Sequence, residues 1–263
     1  PAPYCVNTCV SSPHRVLPAN ASERMVDGWK LIEFEQVDST NLVAASLPAW
    51  HAVRAETQTA GRGRFQRSWV SDRGGLWFSA VVPSGEKQTR ELLPLAAGLA
   101  VIEALRGLGV QNIRLRWPND VMIGEKKLAG LLVDSFDPLR AVVGIGLNIS
   151  NEPAAHDPTL KPVATRLADL LPKTPGPDEI VEVLLKSLRS VVNELHQAGM
   201  MLLCPRINSM WDHSLKVRLD LDGTEETGWF CGVDESGRLL LRDESRHVRA
   251  FESHQVKLLR ELN

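Results

Sequence analysis

IRLRWPNDVMIGEKKLAGLLVDSFDPLRAVVGIGLNI, residues 113–149, decides the fold. Ile113, Leu115 and Trp117 alternate with Arg114 and Arg116 as in a half-buried strand, and Pro118-Asn119-Asp120 then turns the chain. Val121–Ile123 is short and ends in a second turn at residues 124–126. The runs KLAGLLVDSF and RAVVGIGLNI follow, nearly continuous in apolar character, and read as two adjacent buried strands. Such a succession places several strands in one sheet.

Upstream, residues 89–109 carry Leu92, Leu95, Ala96, Leu99, Ile102 and Leu105 at helical spacing, with Gly107 and Gly109 marking the end. GLWFSAVV (75–82) is a dense apolar strand. WKLIEFEQV (29–37) and HAVRAET (51–57) alternate as strands and flank DSTNLVAASL, a helix for which Asp38, Ser39 and Thr40 are cap candidates. Downstream, Pro153 to Pro177 is irregular. Residues 178–199 form an amphipathic helix capped by Asp178 and stopped by Gly199, and Pro205 weakens a further helix at 201–211. From about His213 the pattern changes to short alternating strands, separated by turns at Asp222-Gly223, Ser236-Gly237 and Asp243 to Arg246. The expectation is an α+β protein: a flexible lead-in at 1–28, a catalytic domain at 29–212 built on a mixed sheet flanked by helices, and a small β-barrel at 213–263.

With 263 residues, 43% of them apolar, the chain can bury a large core. A net charge of −2 speaks against a surface built wholly for nucleic acid or anionic membrane, so basic sites are local. No run approaches the ~18 apolar residues of a membrane span, and the N-terminal stretch lacks a signal core. Cys5, Cys9, Cys204 and Cys231 are too few and scattered for a disulfide scaffold. A cytoplasmic protein is expected. Cys5, Cys9 and His14 could form a metal set but lack a recognisable fourth ligand, and ordinary thiols are the preferred reading. Because the chain begins at Pro1, it is expected to be processed or a fragment.

Chemistry concentrates in QTAGRGRFQRSW, residues 58–69. Glycine lets backbone N–H groups approach an anion, and arginine offers a planar fork for carboxylate or phosphate oxygens. The loop leads into a strand and lacks the P-loop pattern, so it is not a dinucleotide fingerprint. Taken alone it could be a solvated turn, just as Lys127, entering a buried strand beside Ala129 and Gly130, could be structural.

Together, DSTN, QTAGRGRFQRSW, RWPNDV, KKLAGLLVD and GIGLN, in this order and from about Leu31 to the C-terminus, resemble the biotin protein ligases, formally biotin-[acetyl-CoA-carboxylase] ligases. The resemblance implies a class II synthetase-like biotin/lipoate ligase catalytic domain followed by an SH3-like barrel. It also implies that biotin and ATP, with Mg²⁺, form biotinyl-5'-AMP, and that the acyl group passes to a lysine of a biotin carboxyl carrier protein domain.

By this resemblance Ser39, Thr40, Asn41, Gln58, Gly63 and Trp69 bind biotin, together with Lys127, Arg62 and Arg64, the three residues expected to act in catalysis. Gly61, Arg116, Asn119, Asp120 and Asn148 fall on the nucleotide side, with the metal ligands unassigned. Ser39 and Thr40 equally suit helix capping, and Trp69 and Trp77 suit a core. Two departures stand out: Arg116 replaces the family's common Lys, and Phe65, Gln66 and Ser68 follow GRGR where relatives often place Gly and another basic residue. Too few ordered residues precede Leu31 for the DNA-binding module of some relatives, so no nucleic-acid partner is expected; no membrane partner is expected either, and the expected state is a monomer or homodimer. Rival readings are a lipoate ligase or octanoyltransferase, for which no cysteine falls in the site segments, and a non-catalytic biotin sensor.

Overall fold

The computed structural model describes residues 21–155, 157–211 and 215–262, so that Cys5, Cys9 and His14 lie outside the described residues. The first elements, β1 (Ser22–Val26) and β2 (Trp29–Val37), form an antiparallel hairpin in which Val26 pairs with Trp29 across Asp27-Gly28. Both turn residues have positive φ, 45° and 76°, the geometry that makes Asp-Gly a favoured two-residue hairpin turn. The expected lead-in is thereby corrected: Ser22–Val26 is a strand, and the Asp-Gly dipeptide between two apolar residues was its signal.

After α1 (Thr40–Ala44) come β3 (His51–Gln58), β4 (Leu76–Pro83), α2 (Lys87–Gly107), β5 (Ile113–Arg116), β6 (Asp120–Ile123), β7 (Lys126–Asp134) and β8 (Arg140–Leu147). The eight strands form one sheet in the order β1-β2-β3-β4-β8-β7-β6-β5, mixed because β2 and β3 run parallel while the other neighbours are antiparallel. Strand alternation sorts the side chains onto two faces. Leu31, Phe78, Val143 and Ile145 meet Leu99 and Ile102 of α2 and Leu188 and Val192 of α3 (Pro177–Ala198) in the main core. Ile32, Phe34, Val53, Val81 and Val142 point the other way and pack with Ala44 of α1.

The helix ends show what composition alone misjudges. Gly176, not Asp178, is the N-cap of α3; Pro177 takes the first turn, where its missing N–H costs nothing, and Asp178 sits beside it. Gly199 does end the helix, with φ 59°. Pro205 lies in the first turn of α4 (Leu203–Asn208) and is tolerated there for the same reason.

The C-terminal segment comprises β9 (Lys216–Leu221), β10 (Thr224–Val233), β11 (Leu239–Arg242), β12 (Val248–Phe251) and β13 (Leu258–Leu262). They form an antiparallel sheet in the order β12-β11-β10-β9-β13. This fits an SH3-like domain but corrects the expected closed barrel, because β12 and β13 are both edges and the chain between them is a turn held by Gln255 N donating to Glu252 O. The sheet shares the main core: Val217, Leu219, Phe230 and Leu239 belong to the same apolar cluster as α2 and α3. Trp211 packs edge-on against Phe230 at 4.5 Å, Trp117 Nε1 donates to Gly237 O at 3.0 Å, and Arg114 pairs with Glu261 at 2.6 Å.

Candidate active site

On the sheet face opposite α2 and α3 lies a cavity of about 350 Å³. Its floor is bare backbone. Gly130 and Gly146 are cross-strand partners on β7 and β8, and Gly144 opposes Leu132. Over this floor lies the Trp69 indole: a Cβ on Gly146 would come within 2.5 Å of its Nε1, and one on Gly130 within 3.0 Å of its ring. Glycine at alternate positions of a strand is the mark of close approach, a signal hidden inside the apolar reading of GIGLN.

A bulge aims Lys127. On β7, Met122 pairs with Lys127 and Val121 with Ala129, so Leu128 is the extra residue. Leu128 and Ala129 both enter the main core, and Lys127 is turned onto the face of Gly130, where a Cβ would meet Lys127 Nζ at 2.9 Å. Bulges beside active sites commonly re-aim a side chain in this way. Lys127 Nζ lies 2.5 Å from Asp120 Oδ1 and 4.9 Å from the Trp69 ring centroid, while Arg116 Nη2 holds Asp120 Oδ2 at 2.7 Å. Burial alone would raise the Asp120 pKa, but Lys127 and Arg116 outweigh it and hold the carboxyl below its ordinary value. Asp120 therefore keeps two cations in register beside the cavity. The expected Arg116 and Asp120 thus meet Lys127 directly.

The loop expected to grip an anion is a miniature hairpin. Arg62 bridges Ser68, Gly63 N donates to Arg67 O at 2.7 Å, and Trp69 N donates to Gly61 O at 2.9 Å. At its tip Arg67 N donates to Arg64 O, and Phe65 and Gln66 hold φ of 55° and 58°. That is a type I′ turn made without glycine, at roughly 1–2 kcal/mol per residue in the left-handed region. Gly61 is sterically required, since a Cβ would lie 2.5 Å from Ser71 Oγ and Trp69 O; at Gly63 the nearest atom, Arg67 O, is 3.6 Å away. Arg64 stacks 4.8 Å over the Phe65 ring and donates to Ser253 O at 2.6 Å, tying the loop to the C-terminal sheet. Burial lowers the Arg64 pKa, Asp120 opposes that and Arg67 adds to it.

A polar cluster completes the wall. Gln58 Oε1 accepts from Thr40 N (2.8 Å) and Thr40 Oγ1 (3.1 Å), and its Nε2 donates to Ser71 Oγ at 2.8 Å. Ser79, fully buried and not anticipated from the sequence, places its Oγ 2.7 Å from both Thr40 Oγ1 and Asn41 Oδ1. Asn41 fits only because Gly144 lacks a Cβ, which would lie 2.2 Å from Oδ1. Ser39 occupies the N-cap position of α1 but makes no capping hydrogen bond, and it lines the cavity. Asn119 and Asn148 also line it, and both are engaged in the frame: Asn119 Nδ2 donates to Leu131 O (2.6 Å), while Asn148 Nδ2 donates to Thr165 O and its Oδ1 accepts from Asn151. Trp77 is a core residue, with Nε1 donating to Asp72 O. Cys204 and Cys231 are free thiols, and neither lines the cavity.

Among the described residues no group of three or more His, Cys, Asp or Glu could hold a metal. Both oxygens of the Asp120 carboxylate are already engaged, by Lys127 and Arg116, so any Mg²⁺ would have to take most of its ligands from substrate phosphates. No described helix is long and apolar enough to cross a membrane.

Comparison with known proteins agrees with this architecture. Residues 33–148 match the Biotin/lipoate A/B protein ligase family. The chain is 33% identical over 236 residues to the biotin--[acetyl-CoA-carboxylase] ligase of Mycobacterium tuberculosis, covering 84% of this chain and 86% of that protein. It superposes with a TM-score of 0.78 on the biotin protein ligase of Aquifex aeolicus in complex with biotin and ATP, at 29% identity, covering 88% of this chain and 99% of that one. The Leishmania major biotin protein ligase in complex with biotinyl-5-AMP gives a TM-score of 0.60 at 26% identity, covering 84% of this chain and 98% of that one. With a third of positions identical over most of both proteins, and with the fold shared as well, this chain belongs to the biotin protein ligase family.

Proposed function

We propose that this chain activates biotin with ATP and transfers it to one lysine of a biotin carboxyl carrier domain. A biotin carboxylate oxygen attacks the α-phosphorus, the bond to the β-phosphate bridging oxygen breaks, and pyrophosphate leaves with that electron pair. The carrier amine then attacks the acyl carbon, the acyl–phosphate bond breaks, AMP departs and the amine proton is lost as the amide forms.

The observation that carries this reading is the convergence of Lys127 and Arg116 on Asp120 in a cavity also walled by the Arg62–Arg64 loop. Two anions about 4 Å apart repel by roughly 4 kcal/mol at an effective dielectric near 20, so their reaction requires positive charge already in place. Lys127, tethered by Asp120, supplies a movable ammonium for the oxygens where charge accumulates. Arg62 and Arg64 offer guanidinium donors from the loop, and the apolar Trp69 face excludes water from a hydrolysable mixed anhydride. Mg²⁺ bound through ATP would offset further phosphate charge. Thr40, Asn41 and Gln58 present the fixed polar atoms suited to a ureido group, and Ser39 contributes the neighbouring hydroxyl.

Incubation with biotin, ATP and Mg²⁺, with and without a carrier domain, tests this. Biotin-dependent pyrophosphate release and one biotinyl group on one carrier lysine are expected. Release independent of biotin, or loading with lipoate in preference to biotin, would refute it.

A further inference from the structure

The polar atoms of the cavity wall continue beyond the residues that face a ligand. From Gln58 the chain of contacts runs through Thr40 to Ser79, from Ser79 to Asn41 Oδ1, and from Asn41 Nδ2 to Asp134 Oδ2 at 2.8 Å. The same carboxylate oxygen lies 3.6 Å from Arg62 Nη2. Nothing in the catalytic chemistry above uses Asp134, which ends β7 two residues past Leu132 and borders a recess of about 240 Å³ shared with the loop.

The Arg62 side chain is held unusually. Its Nε and Nη2 are buried and have no hydrogen-bond partner among the described residues, although buried donors are rarely left so. Asp134 is close enough to fix the guanidinium by charge but too far to consume a donor. The Asn41 amide cannot rotate freely, because Ser79 needs its oxygen and Asp134 needs its nitrogen.

We propose that Asp134 is a positioning residue that holds Arg62 with its donors free for the acyl phosphate, and that Ser79 and Asn41 couple this hold to the Thr40–Gln58 pair. The proposal rests on the ligase reading above. It gives the loop arginine a counter-charge that leaves its hydrogen bonds to the substrate, and it makes filling of the ureido pocket felt at the phosphate. A double-mutant cycle tests the coupling between Asp134 and Arg62.

Four proteins are compared: wild type, Asp134→Asn, Arg62→Ala and the double variant. Asp134→Asn keeps an oxygen for Asn41 and removes only the charge. The readouts are biotin affinity by calorimetry without ATP, and the half-life of preformed adenylate without carrier. Asp134→Asn should shorten adenylate retention at least about fivefold, the low end of ordinary coupling between sites, with biotin affinity changed less. In the Arg62→Ala background the same substitution should have almost no further effect, and Asp134→Glu should restore part of the retention. An Asp134→Asn effect that persists undiminished without Arg62, or retention equal to wild type, overturns the proposal. Should wild type itself form no adenylate from biotin and ATP, the ligase reading fails instead, which separates the two. Thermal unfolding of each variant identifies a merely destabilised protein, and in that event Asp134→Glu alone decides: a carboxylate that folds but retains adenylate no better than Asn refutes the role.

Discussion

Gly146→Ala tests the claim that a bare strand floor sets the position of the reacting groups. The new Cβ would stand 2.5 Å from Trp69 Nε1, 2.6 Å from Cε2 and 3.0 Å from Cζ2, against an ordinary contact near 3.4 Å. The indole must therefore retreat by about 0.9 Å, since Gly146 lies in the middle of the sheet between β4 and β7 and its backbone is pinned on both sides. Overpacking of this kind costs about 1–3 kcal/mol, and at roughly 2–4 °C per kcal/mol for a chain of this size the melting temperature should fall measurably. The Lys127 ammonium, 4.9 Å from the indole ring, lies beside the displaced ring. A misplacement near 1 Å can cost about 10²-fold in rate, so biotin-dependent pyrophosphate release should drop by about 10- to 100-fold. Trp69→Phe removes the atoms that collide, and in the Gly146→Ala background it should recover stability and part of the rate, although alone it is harmful. If Gly146→Ala melts and turns over like wild type, or if Trp69→Phe merely adds its own loss, the indole does not rest on this glycine pair.

Lys127→Ala should depress adenylate formation by about 10²- to 10³-fold, the usual cost of one donor to a developing charge, with a minor change in thermal unfolding; an undiminished single-turnover rate removes Lys127 from the chemistry. Arg64→Gly severs the hydrogen bond to Ser253 O and the stack on Phe65, and should speed adenylate escape in a trapping assay, unchanged retention being the contrary result. Asp120 has a folded pKa below the ordinary 3.8, so its contribution to stability is complete above that value and disappears as pH falls through the depressed one. The stability lost in Asp120→Asn should accordingly be constant between about pH 5 and 8 and shrink in acid, as denaturant titrations at several pH values would show; a difference that instead grows in acid contradicts the sign.

The strand pattern of 113–149 and the helical spacing of α2 and α3 were legible because burial on a sheet or a helix imposes its period on the sequence. The meaning of particular glycines was not, nor was the direction in which Lys127 points, although the family resemblance singled that lysine out. Gly130, Gly144 and Gly146 look like filler in an apolar run until the register places them under Trp69 and Asn41. Taken alone, Lys127 could be structural until the bulge at Leu128 sets which face it takes. A bulge is a relation between two strands, and one strand's sequence does not contain it. Ser79 was invisible for a similar reason, being a single hydroxyl in the apolar run of β4 whose partners lie 38 and 39 residues away.

The Gly61–Trp69 loop shows how a departure from the family pattern is absorbed. Relatives often place glycine after GRGR, and glycine would reach the left-handed region freely. Here Phe65 and Gln66 reach it instead, so something must offset the cost of about 1–2 kcal/mol for each. Phe65 gives Arg64 an aromatic face at 4.8 Å, and Arg64 in turn grips Ser253 O. The turn's geometry survives while its support moves from intrinsic backbone freedom to a contact with the C-terminal sheet. Displacing this loop from the C-terminal sheet therefore means breaking the Arg64 hydrogen bond to Ser253 O.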